Sequence, residues 1–205
     1  AKPDYVIVVG DVNSTIACAL VSVKLGIRTA HVEAGLRSFD RMMPEEINRI
    51  ATDAIVDDLF VTEASGMAHL QHDGVDPSRI HFVGNTMIDS LLYALPKSEK
   101  STIHVDLGLQ PGNYALVTMH RPSNVDDPVQ LRMIVDVLST VASDMPMVFP
   151  VHPRTRKNLQ NLGIEVPANV HMIDPVGYVD FLALMRLAAF VLTDSGGIQE
   201  ETTAL

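Results

Sequence analysis

The chain has a single cysteine, Cys18, in 205 residues. One thiol excludes an internal disulfide framework and fits a reducing compartment. Positive charge is also scarce. Fifteen Lys and Arg stand against 25 Asp and Glu, for a net charge of −10. Non-specific nucleic-acid binding needs a basic footprint, so that class is excluded. An anionic small ligand is not, because local loops can still be basic. Long hydrophobic runs are missing: the apolar stretch over 181–192 is interrupted by Arg186 and falls short of a membrane span. The opening residues do not read as a signal peptide. There is no GxSxG elbow, Walker loop or zinc-ligand spacing. His69 and His72, three apart on a polar helix, have no third ligand nearby, so no metal site is assigned. These absences describe a cytoplasmic protein with no nucleic-acid or membrane partner.

What is present is enough apolar material for a sizeable core, 47% of residues, and a strand–turn–helix rhythm. Short β-branched runs read as strands at 5–9, 28–32, 59–62, 80–83, 114–119, 147–151, 170–173 and 190–193. Ser14-Thr15 is expected to cap a helix with an apolar face of Ile16, Leu20 and Val23, and further helices are expected over 44–56, 65–73, 86–95 and 178–188. A stripe of Leu131, Ile134, Leu138 and Val141 marks another, and one more starts after Gly197. Cys18 and Met42-Met43 read as packing residues. Alternating strands and helices imply an α/β fold with parallel sheets. Residues 96–112, rich in Pro, Lys, Ser and Gly, read as a linker between a domain over 1–95 and a second over 113–205. A strand begins almost at once and 200–205 stops inside a helical pattern, so the chain reads as a fragment lacking both ends.

The densest stretch is 30–49, AHVEAGLRSFDRMMPEEINR. Glu33 sits at the carboxyl end of a strand. Pro44 opens a helix that carries Glu45 at its amino end. Ligands of open α/β sheets bind outside the carboxyl ends of the strands. Two carboxylates there are acid/base or hydroxyl-binding equipment. The competing reading pairs Glu45 with Arg49 at i,i+4 and with the helix dipole. Other polar clusters also fall at strand ends: Gly10-Asp11, His120-Arg121, His152 with Arg154, and Asp194-Ser195-Gly196-Gly197. The Gly-Gly pair before a helix lets backbone N–H groups approach a phosphate. Glu200 and Glu201, one turn on, are placed to accept from ribose hydroxyls.

Gly10-Asp11, HVEAGLR (31–37), PEEINR (44–49), GNTMID (84–89), His120-Arg121 and DSGGIQEE (194–201), in that order, resemble the non-hydrolysing bacterial UDP-N-acetylglucosamine 2-epimerase family. The resemblance implies a GT-B-like architecture, two Rossmann-like domains with the active site between them, each partly present. It implies inversion at C2 of UDP-GlcNAc to give UDP-ManNAc. UDP is eliminated to an enzyme-bound 2-acetamidoglucal and re-added on the other face, without cofactor or metal. By motif match Asp11, Glu33 and Glu45 are the acid/base candidates and His120 lies by the diphosphate. Ser195, Gly196 and Gly197 would hold the phosphates, Glu201 the ribose, and Phe181 would pack by the uracil. Arg121, Glu45 and His152 match residues of an allosteric UDP-GlcNAc pocket found in some members. Many members read His-Arg-Arg-Glu-Asn where this chain has His120-Arg121-Pro122-Ser123-Asn124. Members are commonly homodimers and serve cell-surface polysaccharide biosynthesis. The rivals are a hydrolysing epimerase that releases ManNAc, a GT-B glycosyltransferase, and a non-catalytic nucleotide-sugar-binding protein.

Overall fold

The short β-branched runs become parallel strands and the segments between them become helices. This is seen in a computed structural model that describes residues 3–205. The chain divides into two compact units, one ending at Thr86 and the other beginning at Met87.

In the first unit β1 (Tyr5–Val9), β2 (Arg28–Val32), β3 (Asp58–Val61) and β4 (Ile80–Phe82) pair in that order, all parallel. They are joined by α1 (Asn13–Lys24), α2 (Pro44–Ile55), and α3 (Ala64–His72) with a 3₁₀ turn at Pro77–Arg79. When strands add on one side through right-handed crossovers, the helices stack on one face. The core agrees, since Val8, Leu59 and Ile80 pack with Ala19, Ala34, Val56 and Leu70. On the opposite face Ile7 and Val9 are 58% and 55% exposed. There Asp58 accepts from Tyr5 Oη (2.7 Å) and from Arg28 Nε (2.8 Å) and Nη2 (2.9 Å). The Arg28 hydrogen bond, against burial, draws the Asp58 carboxyl down to about 2.

The second unit contains all but the first residue of α4 (Thr86–Ser98), then α5 (Ile103–Asp106), β5 (Ala115–Thr118), α6 (Pro122–Val125), α7 (Pro128–Ala142), β6 (Met147–Pro150), α8 (Pro153–Asn161), β7 (Val170–Ile173), α9 (Tyr178–Leu187), β8 (Phe190–Thr193) and α10 (Gly196–Thr203). Its parallel sheet runs β7-β6-β5-β8. Alternate residues of β5 and β6 feed two cores. Leu116 and Val148 join Leu91, Tyr114, Leu182 and Leu184, while Ala115, Val117, Met147 and Phe149 join Leu138 and Ala142. The direction of winding reverses between β5 and β8. In doubly wound sheets that is where a ligand crevice forms at the strands' carboxyl ends. No described helix is long and apolar enough to cross a membrane.

Four local expectations need correction. The buried face of α1 is Thr15, Ala19 and Ser22, whereas Leu20 is 44% exposed and Cys18 is exposed. Small residues there let the helix sit close to the sheet, with Thr15 Oγ1 donating to the Val9 carbonyl at 2.8 Å. The capping role expected of Ser14 and Thr15 is absent, because Val12 is the N-cap. Met42 and Met43 lie out in the loop, 88% and 37% exposed. Finally, 96–112 holds the end of α4, with Pro96 inside the helix, and all of α5. Leu91, Ala94, Leu109 and Tyr114 share one core cluster, so packing outweighs the breakers in this segment. Buried Tyr114 donates to the Leu184 carbonyl at 2.6 Å.

Candidate active site

The chemistry of the first unit gathers where β1 and β2 end. Gly10 leaves β1 with φ +69° while its N–H still donates to the Val32 carbonyl at 3.1 Å. The next residue, Asp11, therefore emerges at the rim. On the neighbouring strand, Val32 is held by that bond and the Ala34 N–H by the Phe60 carbonyl at 3.1 Å. The residue between them, Glu33, is forced to φ +70°. Non-glycine residues rarely adopt this left-handed conformation, and such strain concentrates at functional sites. Its Oε2 lies 3.6 Å from where a Cβ on Gly10 would stand. The chain thus bends at Gly10 and Glu33 to deliver two carboxylates, those of Asp11 and Glu33, from adjacent strand ends.

The rest of the HVEAGLR segment braces this rim. Gly35 (φ +81°) passes so close to α3 that a Cβ on it would stand 2.4 Å from the Gly66 carbonyl oxygen. His31 is fully buried. Its Nδ1 lies 2.6 Å from Asp53 and its Nε2 lies 2.9 Å from the Gly10 carbonyl oxygen. Asp53, on α2, also accepts from the Gly35 N–H (3.1 Å) and Arg37 Nη1 (2.7 Å), and Arg37 reaches on to Asp73 at 3.1 Å. His31 is therefore an internal brace beneath the Gly10 turn.

Pro44 occupies the first turn of α2, as its sequence position predicts, and Glu45 follows, half-buried. The pairing of Glu45 with Arg49 is not formed. Arg49 donates twice to Asp11 Oδ2, from Nε at 3.0 Å and Nη2 at 2.7 Å, and once to Glu46 Oε2 at 2.9 Å. Glu46 is only 1% exposed. Burial opposes its charge, but hydrogen bonds from the Ser38 N–H and hydroxyl, the Phe39 N–H and Arg49 outweigh it, so its carboxyl titrates below the ordinary range. Arg37, Phe39, Arg41, Glu46 and Asp53 also border a cavity of ≈ 540 Å³ that excludes Asp11, Glu33 and Glu45.

In the second unit the expected clusters meet at the β5–β8 switch point. β5 runs into His120 and Arg121, and β8 into Asp194 and Ser195. Asp194 accepts from the His120 N–H (3.1 Å), the Arg121 N–H (2.9 Å) and Asn124 Nδ2 (3.0 Å). His120 Nδ1 lies 3.0 Å from the same carboxylate, with the imidazole 59% exposed. Burial raises the Asp194 carboxyl, and the donors from Arg121, Asn124 and His120 more than reverse this, so it stays ionised below the usual range. Asp194 is thus the clamp that fixes the His120-Arg121 turn. Arg121 itself is exposed. Ser195 caps α10, accepting from the Ile198 N–H at 3.4 Å, and Gly196 and Gly197 form its first turn.

Three candidates stand apart from that cluster. Glu201 is 5% exposed, turned inward, with Oε1 accepting from Tyr178 Oη at 2.9 Å and Oε2 buried without a partner among the described residues. Burial, then the bond to Glu201, pushes the Tyr178 hydroxyl up to about 12. Phe181 packs against the core through α9. His152 is exposed and caps α8, its Nδ1 accepting from the Arg154 N–H at 3.3 Å, while Arg154 pairs with Asp126. Sequence reasoning passed over Glu46, Arg49, Asp53 and Tyr178 as parts of the site. The first three are legible in retrospect, because charged residues at 46, 49 and 53 keep helical spacing on one face.

A family model described as UDP-N-acetylglucosamine 2-epimerase matches residues 1–205. A UDP-N-acetylglucosamine 2-epimerase of Methanocaldococcus jannaschii is 43% identical over 218 residues, spanning 100% of this chain and 58% of its own length. A UDP-2,3-diacetamido-2,3-dideoxy-D-glucuronate 2-epimerase of Pseudomonas aeruginosa is 44% identical over 203 residues, 98% of this chain and 56% of its own. Among solved structures, the M. jannaschii enzyme in complex with UDP-GlcNAc and UDP superposes with TM-score 0.86 at 42% identity, over 99% of this chain and 58% of that one. The Neisseria meningitidis UDP-GlcNAc 2-epimerase bound to UDP-GlcNAc gives TM-score 0.85 at 33% identity, over 98% and 57%. The chain therefore spans a little over half the length of the relatives it matches.

Proposed function

The chain belongs to the UDP-N-acetylglucosamine 2-epimerase family, and from that premise we propose that it inverts C2 of a UDP-2-acetamido sugar, with UDP-GlcNAc and UDP-ManNAc as the pair. The observation that carries this is the delivery of Asp11 and Glu33 to one rim by a strained turn, with Glu45 on the adjoining helix. Binding a nucleotide does not require a set of carboxylates. Moving a poorly acidic proton off C2 and returning it to the opposite face does.

In the reaction the C2–H bonding pair becomes the C1–C2 π bond, the C1–O pair leaves with UDP, and the proton passes to a carboxylate oxygen. Re-addition reverses each step on the other face. The sugar's oxidation level is unchanged, so no redox group is required. His120, steadied by Asp194, faces the departing diphosphate with its exposed ring edge. Ser195, Gly196 and Gly197 offer the amino end of α10 to the phosphates. Glu201 serves the ribose once turned outward, and Phe181 flanks the uracil. Arg121 and His152, with Glu45, are assigned to a second UDP-GlcNAc site.

The test is NMR of UDP-GlcNAc incubated with the protein in deuterated water. Deuterium at C2 in both UDP-GlcNAc and UDP-ManNAc is the expected result. Free ManNAc with UDP would replace it by a hydrolysing reaction, and an unchanged sugar would overturn the assignment. The P. aeruginosa relative favours a second substrate, a UDP-2,3-diacetamido uronate. The same assay with that sugar decides between them through the ratio of kcat/KM values.

A further inference from the structure

Asn48 and Arg49 are consecutive on α2, and both reach Asp11. Asn48 Nδ2 donates to the Asp11 backbone carbonyl at 2.8 Å and to Asn13 Oδ1 at 3.0 Å. Arg49 sends two N–H groups to the same side-chain oxygen, Oδ2. Its remaining arm is fixed on buried Glu46, and the guanidinium is only 15% exposed. Main chain and side chain of Asp11 are therefore both set by neighbouring residues of one helix. The two carboxylate oxygens are made unequal. Oδ2 carries two charge-assisted bonds, and protonating it would displace a donor. Oδ1 carries none of these bonds, and Asp11 remains 31% exposed on its side chain.

We propose that Asn48 and Arg49 are positioning residues that reserve Oδ1, rather than Oδ2, as the oxygen through which Asp11 exchanges the C2 proton on its own face of the sugar. The inference rests on the reaction assigned above, in which Asp11 is an acid/base group. When Oδ1 takes the proton, an O–H bond forms as C2–H breaks, the freed pair becomes the C1–C2 π bond, and UDP carries off the C1–O pair. In the reverse direction Oδ1 returns that proton to the glycal. Arg49 stays charged throughout and touches neither the sugar nor the reacting atoms. Its two N–H groups fix which oxygen is left without a donor, and a single ammonium cannot reproduce that.

A plain structural staple between α2 and the β1 turn would predict lost stability and little else. Reservation of Oδ1 predicts lost turnover with binding intact. The experiment compares the wild-type protein with Arg49→Lys and Arg49→Ala. C2 deuterium exchange, KM, UDP affinity by calorimetry and thermal midpoint are read for each. Arg49→Lys is expected to lower kcat by about 10–100-fold, as for other residues that orient a reacting ligand, with UDP affinity unchanged. Arg49→Ala is expected to lose more and to regain part of it when guanidinium is added at non-denaturing concentration. Wild-type kcat in Arg49→Lys overturns the inference. So does a loss matched by an equal loss of UDP affinity, or a folded Arg49→Ala that guanidinium does not rescue. Should Arg49→Ala fail to fold, Arg49→Lys alone decides. A wild-type protein that binds UDP-GlcNAc but exchanges no proton at C2 overturns the assigned reaction instead, and the inference with it.

Discussion

Glu33 Oε2 stands 3.6 Å from the point where a side chain on Gly10 would begin. The two residues end adjacent parallel strands, and the missing side chain of one makes room beside the carboxylate of the other. Gly10→Ala is therefore expected to act twice. The φ of +69° makes any L side chain there unfavourable by roughly 1–2 kcal/mol. The methyl also enters the space beside the carboxylate, so turnover should fall by more than the loss of folded protein explains. Thermal denaturation alongside C2 proton exchange separates the two effects. Wild-type exchange in folded protein would show that the space is unused.

Glu33→Gln keeps the shape and hydrogen-bonding reach of the side chain but removes its ability to accept a proton. Removal of a general acid or base typically costs about 10²–10⁴-fold. C2 exchange should fall by that amount while UDP affinity holds. Unchanged turnover would remove Glu33 from the chemistry and leave its strained φ without a function.

Gly35→Ala is expected to destabilise the first unit severely. The new Cβ would lie 2.4 Å from a backbone oxygen of Gly66, at a φ of +81°. The strained φ alone is worth about 1–3 kcal/mol, and the clash is with backbone that cannot step aside. Gly66→Ala is the milder partner, meeting Val61 Cγ1 at 2.8 Å and the Ala34 carbonyl at 3.0 Å. Thermal midpoints should fall in both, further in Gly35→Ala. Equal midpoints to wild type would mean that α3 can retreat from the turn.

Asp58 gives the acid limb of stability a definite shape. Its folded carboxyl lies at about 2 against an ordinary 3.8. A carboxyl depressed by folding contributes stability that is fully present above its unfolded value and lost as pH falls through its folded one. The contribution, about 1–2 kcal/mol once the exposure of Arg28 is allowed for, is therefore present above about pH 4 and fades toward pH 2. Asp58→Asn should flatten this part of the profile in urea titrations at several pH values. A variant with the same acid slope as wild type would place the effect elsewhere.

The parallel strands and most helices were legible because their apolar periods are local. Strand ends such as Val9, Val32 and Thr193 fell where β-branched runs meet glycine or a polar cluster, so the rim could be located from sequence. Which side of α1 is buried was not legible. Apolarity pointed to Leu20, but a helix lying close to a sheet selects small residues such as Ala19 and Ser22. Glu45 drew attention as a carboxylate at a helix start, whereas its neighbour Glu46 does the bracing. Only tertiary contact distinguishes them, since both occupy the first turn and one faces inward toward Ser38 and Phe39. The segment 96–112 misled because Pro and Gly composition reports local flexibility, while Leu109 is fixed by packing with residues before and after it.

The order of strands in the two sheets bears on how the protein is made. In the first sheet each new strand lies beside the one just synthesised, so pairing can follow the ribosome step by step. In the second, β8 must return past β6 and β7 to lie against β5, and the His120–Asp194 clamp waits for that closure. Such long-range pairing is the slow kind, because its loop-closure entropy is met before any contact rewards it. The β5–β8 edge is thus assembled after the β1–β2 rim, and a ribosome stalled before Phe190 would hold a chain with that rim formed and the His120–Asp194 clamp absent.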